Sequence, residues 1–314
     1  MGHRLGITMG DPSGVGPEVT VKALAGTGAE ERNRIVVLGC RSTLERAARI
    51  AGVPSPEVAV IDVATPDSDT IRDGCESTGG GHAAYGYVRR AVELALAGEI
   101  EVIVTAPLNK AALHLAGHRF DGHTEILQHL TDAPSSIMLL ASERLSTIHV
   151  STHVSLAGAV QRCRAPRVLE IIEAADRHFR RLGTERPRVA VAGLNPHSGE
   201  GGLFGREDEE QIRPAVEAAC ARGIDASGPW PGDSVFLRAT RGEFDVVVAQ
   251  YHDQGHIPTK LVAFESAVNV TLGLPIQRTS VDHGTAFDIA WQGCADPRNM
   301  LAAIAYANRL ADTE

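Results

Sequence analysis

The sequence predicts an α/β protein with a mostly parallel sheet covered by helices. Three observations carry that reading. Short apolar runs alternate along the chain with stretches of helical periodicity. Loops of glycine and small polar residues follow the runs directly, where ligands bind in such sheets. The 314 residues are 43% hydrophobic and 22% charged, an ordinary globular composition. The length suits two domains or one large α/β domain, and it buries a core without disulfides or structural metal.

The elements follow in order. Leu5–Thr8 reads as a buried strand running into Met9-Gly10-Asp11-Pro12-Ser13-Gly14-Val15-Gly16, and Pro17 suits the first turn of a helix. The Gly10–Gly16 loop has neither dinucleotide nor P-loop spacing, so by itself it reads as a tight turn lining a site. Arg34–Cys40 is a second strand, Ser42–Ala51 a helix capped by its serine, and Val58–Val63 a third strand. Ala64–Gly81 reads as a loop and Ala83–Ala97 as a helix with Val88, Ala91, Val92 and Ala95 on one face. Ile103–Thr105, Ser146–Val150, Arg188–Ala192 and Phe244–Ala249 are further strands. Helices are expected at Val168–Leu182 and Glu207–Cys220, and Gly228–Asp233 reads as a rigid loop.

Several function classes fall away. The net charge of -9 and the 4% aromatic content give no nucleic-acid surface. No apolar run is long enough to span a bilayer and no signal peptide is evident, so a cytoplasmic protein is expected. Five scattered cysteines, without a C-x-x-C pair, read as reduced thiols.

The densest chemistry lies between Gln250 and Ile289. His252 and Asp253 can hold a metal, and Lys260, Asn269 and Arg278 an anion. His283-Gly284-Thr285-Ala286 is a small-residue turn leading into a helix, which suits a dinucleotide. Together they point to a metal-assisted dehydrogenase. His153, His197 and His252 each follow a predicted strand, and three imidazoles with open positions make a catalytic divalent site. Their spacing shows none of the short ligand patterns, and from pattern alone loop histidines satisfied by hydrogen bonds fit somewhat better. His123-Thr124 opens a helix and can donate to the same anion. Asp233 and Asp253 can orient a histidine, act as a base, or serve turns and caps. His114, His118, His129, His149, His178 and His256 are assigned to packing and loops.

The segments TMGDPSGVGPE, TAPLNK, DGHTE, STHVSL, GLNPHSGEGG, YHDQG, NVTLGLP and RTSVDHGTAFDIA resemble the PdxA family, which includes 4-hydroxythreonine-4-phosphate dehydrogenase. The resemblance implies a fold like the isocitrate and isopropylmalate dehydrogenases, with two α/β/α domains around a cleft and a homodimer. It implies a nucleotide-side domain of residues 1–130 plus 270–314 and a metal and dimer-interface domain of 131–269. It places substrate on His123, Thr124, Lys260, Asn269 and Arg278, and a divalent metal (Zn, Mg, Mn, Co or Ni) on His153, His197 and His252, shared across the dimer interface. The similarity of DHGTAFDIA to the isopropylmalate dehydrogenase nucleotide loop implies NAD, or NADP, at His283, Gly284, Thr285 and Ala286, with Asp296 toward the adenine. Asp233, Lys260 or a metal-bound water would take the proton. Departures are Pro-Gly-Asp-Ser around Asp233 where the family has P-A-D-T, and Phe287 and Trp291 where the nucleotide loop has Pro and Gly.

TAPLNKAALHLAGH, IHVSTHVSL, YHDQGHIPTKL and DHGTAFDIAW place the chain nearest the branch acting on 4-phospho-D-threonate or its erythronate isomer. The vitamin enzymes more often read Y-H-D-Q-G-L-P-V-L-K. The expected reaction is oxidation at C3 of a four-carbon hydroxy acid 4-phosphate, then decarboxylation to dihydroxyacetone phosphate. The alternatives are the hydroxythreonine phosphate enzyme itself, a cis-dihydrodiol acid dehydrogenase, and a non-catalytic binding protein.

Overall fold

The computed structural model describes residues 4–312. The strands are β1 (Leu5–Thr8), β2 (Ile35–Gly39), β3 (Ala59–Asp62), β4 (Val102–Thr105), β5 (Ile137–Ala141), β6 (Thr147–His149), β7 (Val189–Ala192), β8 (Ala226–Trp230), β9 (Val246–Ala249), β10 (Val268–Leu272) and β11 (Gln277–Ser280). The chain divides into two compact units. The first runs to Ser136 and takes up Gly273–Asp312; the second is Ile137–Leu272.

In the first unit the strand order is β3-β2-β1-β4-β11, every pair parallel. Leu5, Ile7, Val37, Leu38, Ile103 and Val104 are fully buried, as continuous apolar strands covered on both faces must be. The chain goes from β1 to β2 and β3 on one side, then returns to place β4 on the other. The carboxyl ends of β1 and β4 therefore form a topological switch point, where the loops that follow diverge and leave room for a ligand.

In the second unit the order is β10-β5-β6-β9-β7-β8. β5 is antiparallel to both β10 and β6, and the remaining pairs are parallel. Ala190, Ala192, Val247 and Ala249 pack with Leu145, Val235 and Phe236 in one of its apolar clusters.

The sequence reading is corrected at several elements. It assigns no strand to Ile137–Ala141, a five-residue apolar run without alternation that periodicity cannot assign. The helix expected from Ala83 begins at Thr78, because Ser77 caps it by accepting from Gly80 N at 3.0 Å. Ser42 caps nothing; the helix Arg41–Ala51 starts where Asp62 Oδ1 accepts from Arg41 N at 2.7 Å. Part of the expected loop Gly228–Asp233 is the end of β8. No helix follows His283–Ala286. The chain stays irregular until the helix Arg298–Ala311, held by Trp291, whose indole donates to Pro12 O at 3.1 Å.

Candidate active site

The first unit gathers its polar groups at the switch point. The loop after β1 is tied to the loop after β4 by Asp11 N donating to Pro107 O at 2.9 Å, and to the candidate nucleotide loop by Val15 N donating to Thr285 O at 2.9 Å. Gly14 lies so close to Thr285 that a Cβ there would sit 2.8 Å from its carbonyl oxygen. The Gly10–Gly16 loop, read from sequence as a turn, thus packs on the His283–Ala286 loop.

Asp11 is fully buried. Its Oδ1 accepts from Ser13 N at 2.9 Å, while its Oδ2 and the Ser13 hydroxyl have no protein partner. Burial pushes the Asp11 carboxyl up to about 6, against the pull of the Ser13 contacts. Nothing in the local sequence marks this aspartate apart from the loop it sits in.

Arg278, on β11, is buried beneath the site. Its Nε and Nη2 donate to Thr105 Oγ1 at 3.1 and 2.8 Å. Burial pulls the guanidinium down to about 9, with Glu125 acting the other way, so it keeps its charge at neutral pH. His123 and Thr124 open the helix His123–Leu130, whose first N–H groups suit an anion. Burial and the Arg278 charge hold His123 well below its ordinary value, with the Ala106 backbone opposing them as acceptor. His123 Nε2 has no partner, so Nδ1 makes the Ala106 contact. A neutral ring that gives up its Nδ1 proton offers a lone pair at Nε2.

His283 makes one contact, Nδ1 with Gly284 O at 2.9 Å, and its buried Nε2 has no partner. Gly284 has open space where a Cβ would stand, and Ala286 takes a left-handed φ of 41°. An orphaned buried nitrogen beside an open glycine backbone suits the close approach of a dinucleotide. Asp296 is exposed; it caps Arg298 N at 2.9 Å and pairs with its guanidinium, which lowers its pKa.

The second unit holds the histidines. His252 opens the helix His252–Ala263, with its ring 6.0 Å from that of His153 between centroids. Its Nδ1 meets Asp253 Oδ1 at 2.7 Å, the carboxylate contact that orients a ligating imidazole and leaves Nε2 for a metal. The donor chemistry of His153 and His252 therefore fits a divalent ion. No cluster of three or more metal donors forms within one chain among the described residues. His197 lines a cavity of about 630 Å³ with Asp233, Tyr251, Asp253, Ile257 and Leu261. Lys260 follows His252 and His256 along one stripe of their helix at four-residue spacing, and Asn269 pairs with Leu140 between β10 and β5.

His197 stands on an unusual backbone. His197, Ser198 and Glu200 take φ of 52°, 54° and 44°, and Gly199, Gly201 and Gly202 complete a left-handed turn with 83°, 64° and 94°. Three non-glycine residues in that region carry real strain. Fully buried Asp208 anchors the approach to the turn. Its Oδ1 accepts from Leu194 N at 2.8 Å, and its Oδ2 from Asn195 N at 3.1 Å and Asn195 Nδ2 at 2.9 Å. Gln254 Nε2 donates to Gly193 O at 2.7 Å. Asp208 begins a π-helical turn, Asp208–Ile212, within the stretch the sequence assigns to an ordinary helix. The run Gly199-Glu200-Gly201-Gly202 was the one local signal of the turn.

Comparison with known proteins adds to the geometry. A family model described as pyridoxal phosphate biosynthetic protein PdxA matches residues 30–307. A D-threonate 4-phosphate dehydrogenase of Pectobacterium atrosepticum is 46% identical over 99% of this chain and 100% of its own. A 4-hydroxythreonine-4-phosphate dehydrogenase of Beijerinckia indica is 47% identical over 98% of this chain and 95% of its own. The crystal structure of a 4-hydroxythreonine-4-phosphate dehydrogenase from Klebsiella pneumoniae superposes with a TM-score of 0.89 at 46% identity, covering 99% of this chain and 98% of that one.

Proposed function

The chain belongs to the PdxA family, and from that premise we propose that it oxidises and decarboxylates 4-phospho-D-threonate to dihydroxyacetone phosphate and CO2. The observation that carries the reading is the buried Arg278 guanidinium beside the unpartnered Nε2 of His123. A desolvated cation favours an anionic ligand, here the phosphate, with the N-terminus at His123-Thr124 adding N–H donors. His123, neutral with a free lone pair, takes a substrate hydroxyl. The family resemblance assigns Lys260 and Asn269 to substrate as well.

Residues His283, Gly284, Thr285 and Ala286 hold NAD or NADP, and His153 and His252 hold a divalent ion with His197 supplied by a second copy of the chain. The dinucleotide held there would supply the hydride acceptor, and the ion a Lewis acid that eases oxidation at C3 and loss of CO2. Asp253 keeps the His252 ring oriented. One group takes the hydroxyl proton: Asp233, Lys260 in its neutral form, or a water at the site. A homodimer is supported by the helix His252–Ala263 and the residue that caps it: Ile257, Leu261 and Phe264 are 56%, 81% and 70% exposed.

The hydroxythreonine phosphate enzymes share the expected chemistry on a substrate bearing an amino group. Turnover of 4-phospho-D-threonate and 4-phosphohydroxy-L-threonine is to be compared by NADH formation in one metal-supplemented buffer. Faster turnover of the threonate is expected; faster turnover of the amino acid overturns the substrate assignment.

A further inference from the structure

His149 and His256 come from two of the segments on which the likeness to the threonate branch rests, IHVSTHVSL and YHDQGHIPTKL. They meet in space behind His252. The His256 ring stacks on that of His252 with centroids 3.7 Å apart and planes 13° from parallel. His256 Nδ1 lies 3.1 Å from His149 Nε2 and 3.0 Å from His252 O. His149 Nδ1 lies 3.2 Å from Met138 O.

These contacts fix the tautomers. A carbonyl only accepts, so His149 Nδ1 carries the proton given to Met138 O. His149 Nε2 is then a lone pair, and His256 Nδ1 must be the N–H shared between it and His252 O. One chain of contacts runs from the backbone of the helix His252–Ala263 to the Met138 carbonyl on β5 and leaves neither ring free to turn. Gly255 makes room for it: a Cβ there would lie 2.3 Å from His149 Nε2 and 3.0 Å from the Ala249 Cβ. Any side chain at 255 would push His149 out of reach.

We propose that the His149–His256 pair is a positioning element that fixes the plane of the His252 ring and so sets the geometry and affinity of the divalent-ion site. The proposal rests on the reading of His252 as a metal ligand. His256 does this by stacking and His149 by holding His256, neither touching the ion. The pair ties the branch-marking residues to the metal centre, since Leu at position 256 can stack loosely but cannot be held in register by a hydrogen bond.

The test is a titration of chelator-stripped protein with Co2+, read by visible absorption and by competition with a chelator. Wild type, His252→Ala, His256→Leu and the double variant His149→Leu/His256→Leu are compared. Truncating one ring leaves the other's nitrogen unmatched, whereas truncating both removes the two ring nitrogens together, so the double variant is expected to be the more stable of the two leucine variants. It is expected to bind Co2+ about 10- to 100-fold more weakly, with a changed absorption band. His149→Gln, which keeps an acceptor near Nε2, is expected to recover part of the loss. Wild-type affinity and spectrum in a folded double variant overturn the proposal while a large loss in His252→Ala upholds the metal reading. Unchanged affinity in His252→Ala overturns that reading and the proposal with it. Nitrogen NMR of the unmutated protein gives a check independent of folding: both rings are expected as Nδ1–H tautomers, and an Nε2–H tautomer at either overturns the proposal.

Discussion

The two units treat their buried polar groups in opposite ways. In the first, Asp11 Oδ2, the Ser13 hydroxyl, His123 Nε2 and His283 Nε2 are buried without a protein partner. In the second, the buried groups around the histidines are anchored: His149 on His256, and Asp208 on the segment leading to His197. The Ser198 hydroxyl and Asp176 Oδ1 are exceptions in that unit. A buried polar atom without a protein partner costs stability that a ligand or an ordered water can return, whereas an anchored one has its geometry set before any ligand arrives. The first unit is thus built as a receiver, and the second as a rigid mount.

Stability measurements can break that contrast. The largest effect is expected in the mount. Asp208→Ala removes the acceptor of three N–H groups beside a strained turn, and is expected to cost about 3 kcal/mol or more in denaturant unfolding. A loss within error would mean that Asp208 anchors nothing.

In the receiver the sign reverses. The Asp11 carboxyl titrates near 6 in the fold against 3.8 in the open chain. A raised carboxyl contributes stability in full below 3.8, and that contribution is lost as pH rises through 6. Above that window the buried charge is a burden of about 3 kcal/mol. Asp11→Asn is therefore expected to be the more stable protein above pH 6, by about 2 kcal/mol, with the gap closing as pH falls toward 3.8. A gap that ignores pH would sever the link to Asp11 ionisation. The smallest effect compares two serines. Ser155 accepts from Gly158 N at 3.1 Å as a helix cap, and its replacement by alanine is expected to cost about 1 kcal/mol. Ser13→Ala, which keeps the Ser13 N–H to Asp11 Oδ1, is expected to change stability by less than about 0.5 kcal/mol. Equal costs would erase the distinction between the units.

The same contrast explains what could be read from sequence. Strand ends were legible at Thr105, Ala192 and Ala249, because apolar runs stop abruptly there and small-residue loops begin. The resemblance brought in the roles of the named site residues. Asp208 was not legible, since the backbone it holds lies 13 and 14 residues away and an acidic run looks like any solvated helix start. His149 and His256 were assigned to packing because their pairing spans 107 residues. The left-handed φ of Ser198 belongs to no propensity of serine, and histidine is only mildly disposed to it; the turn is imposed by its surroundings.

The most direct test of the account is NADH formation from 4-phospho-D-threonate by chelator-stripped protein, before and after return of a divalent ion, in wild type and His252→Ala. The account predicts no turnover in the stripped wild type, recovery when the ion is returned, and no recovery in a folded His252→Ala protein. Equal rates in stripped and restored wild type, or full recovery in His252→Ala, would contradict it.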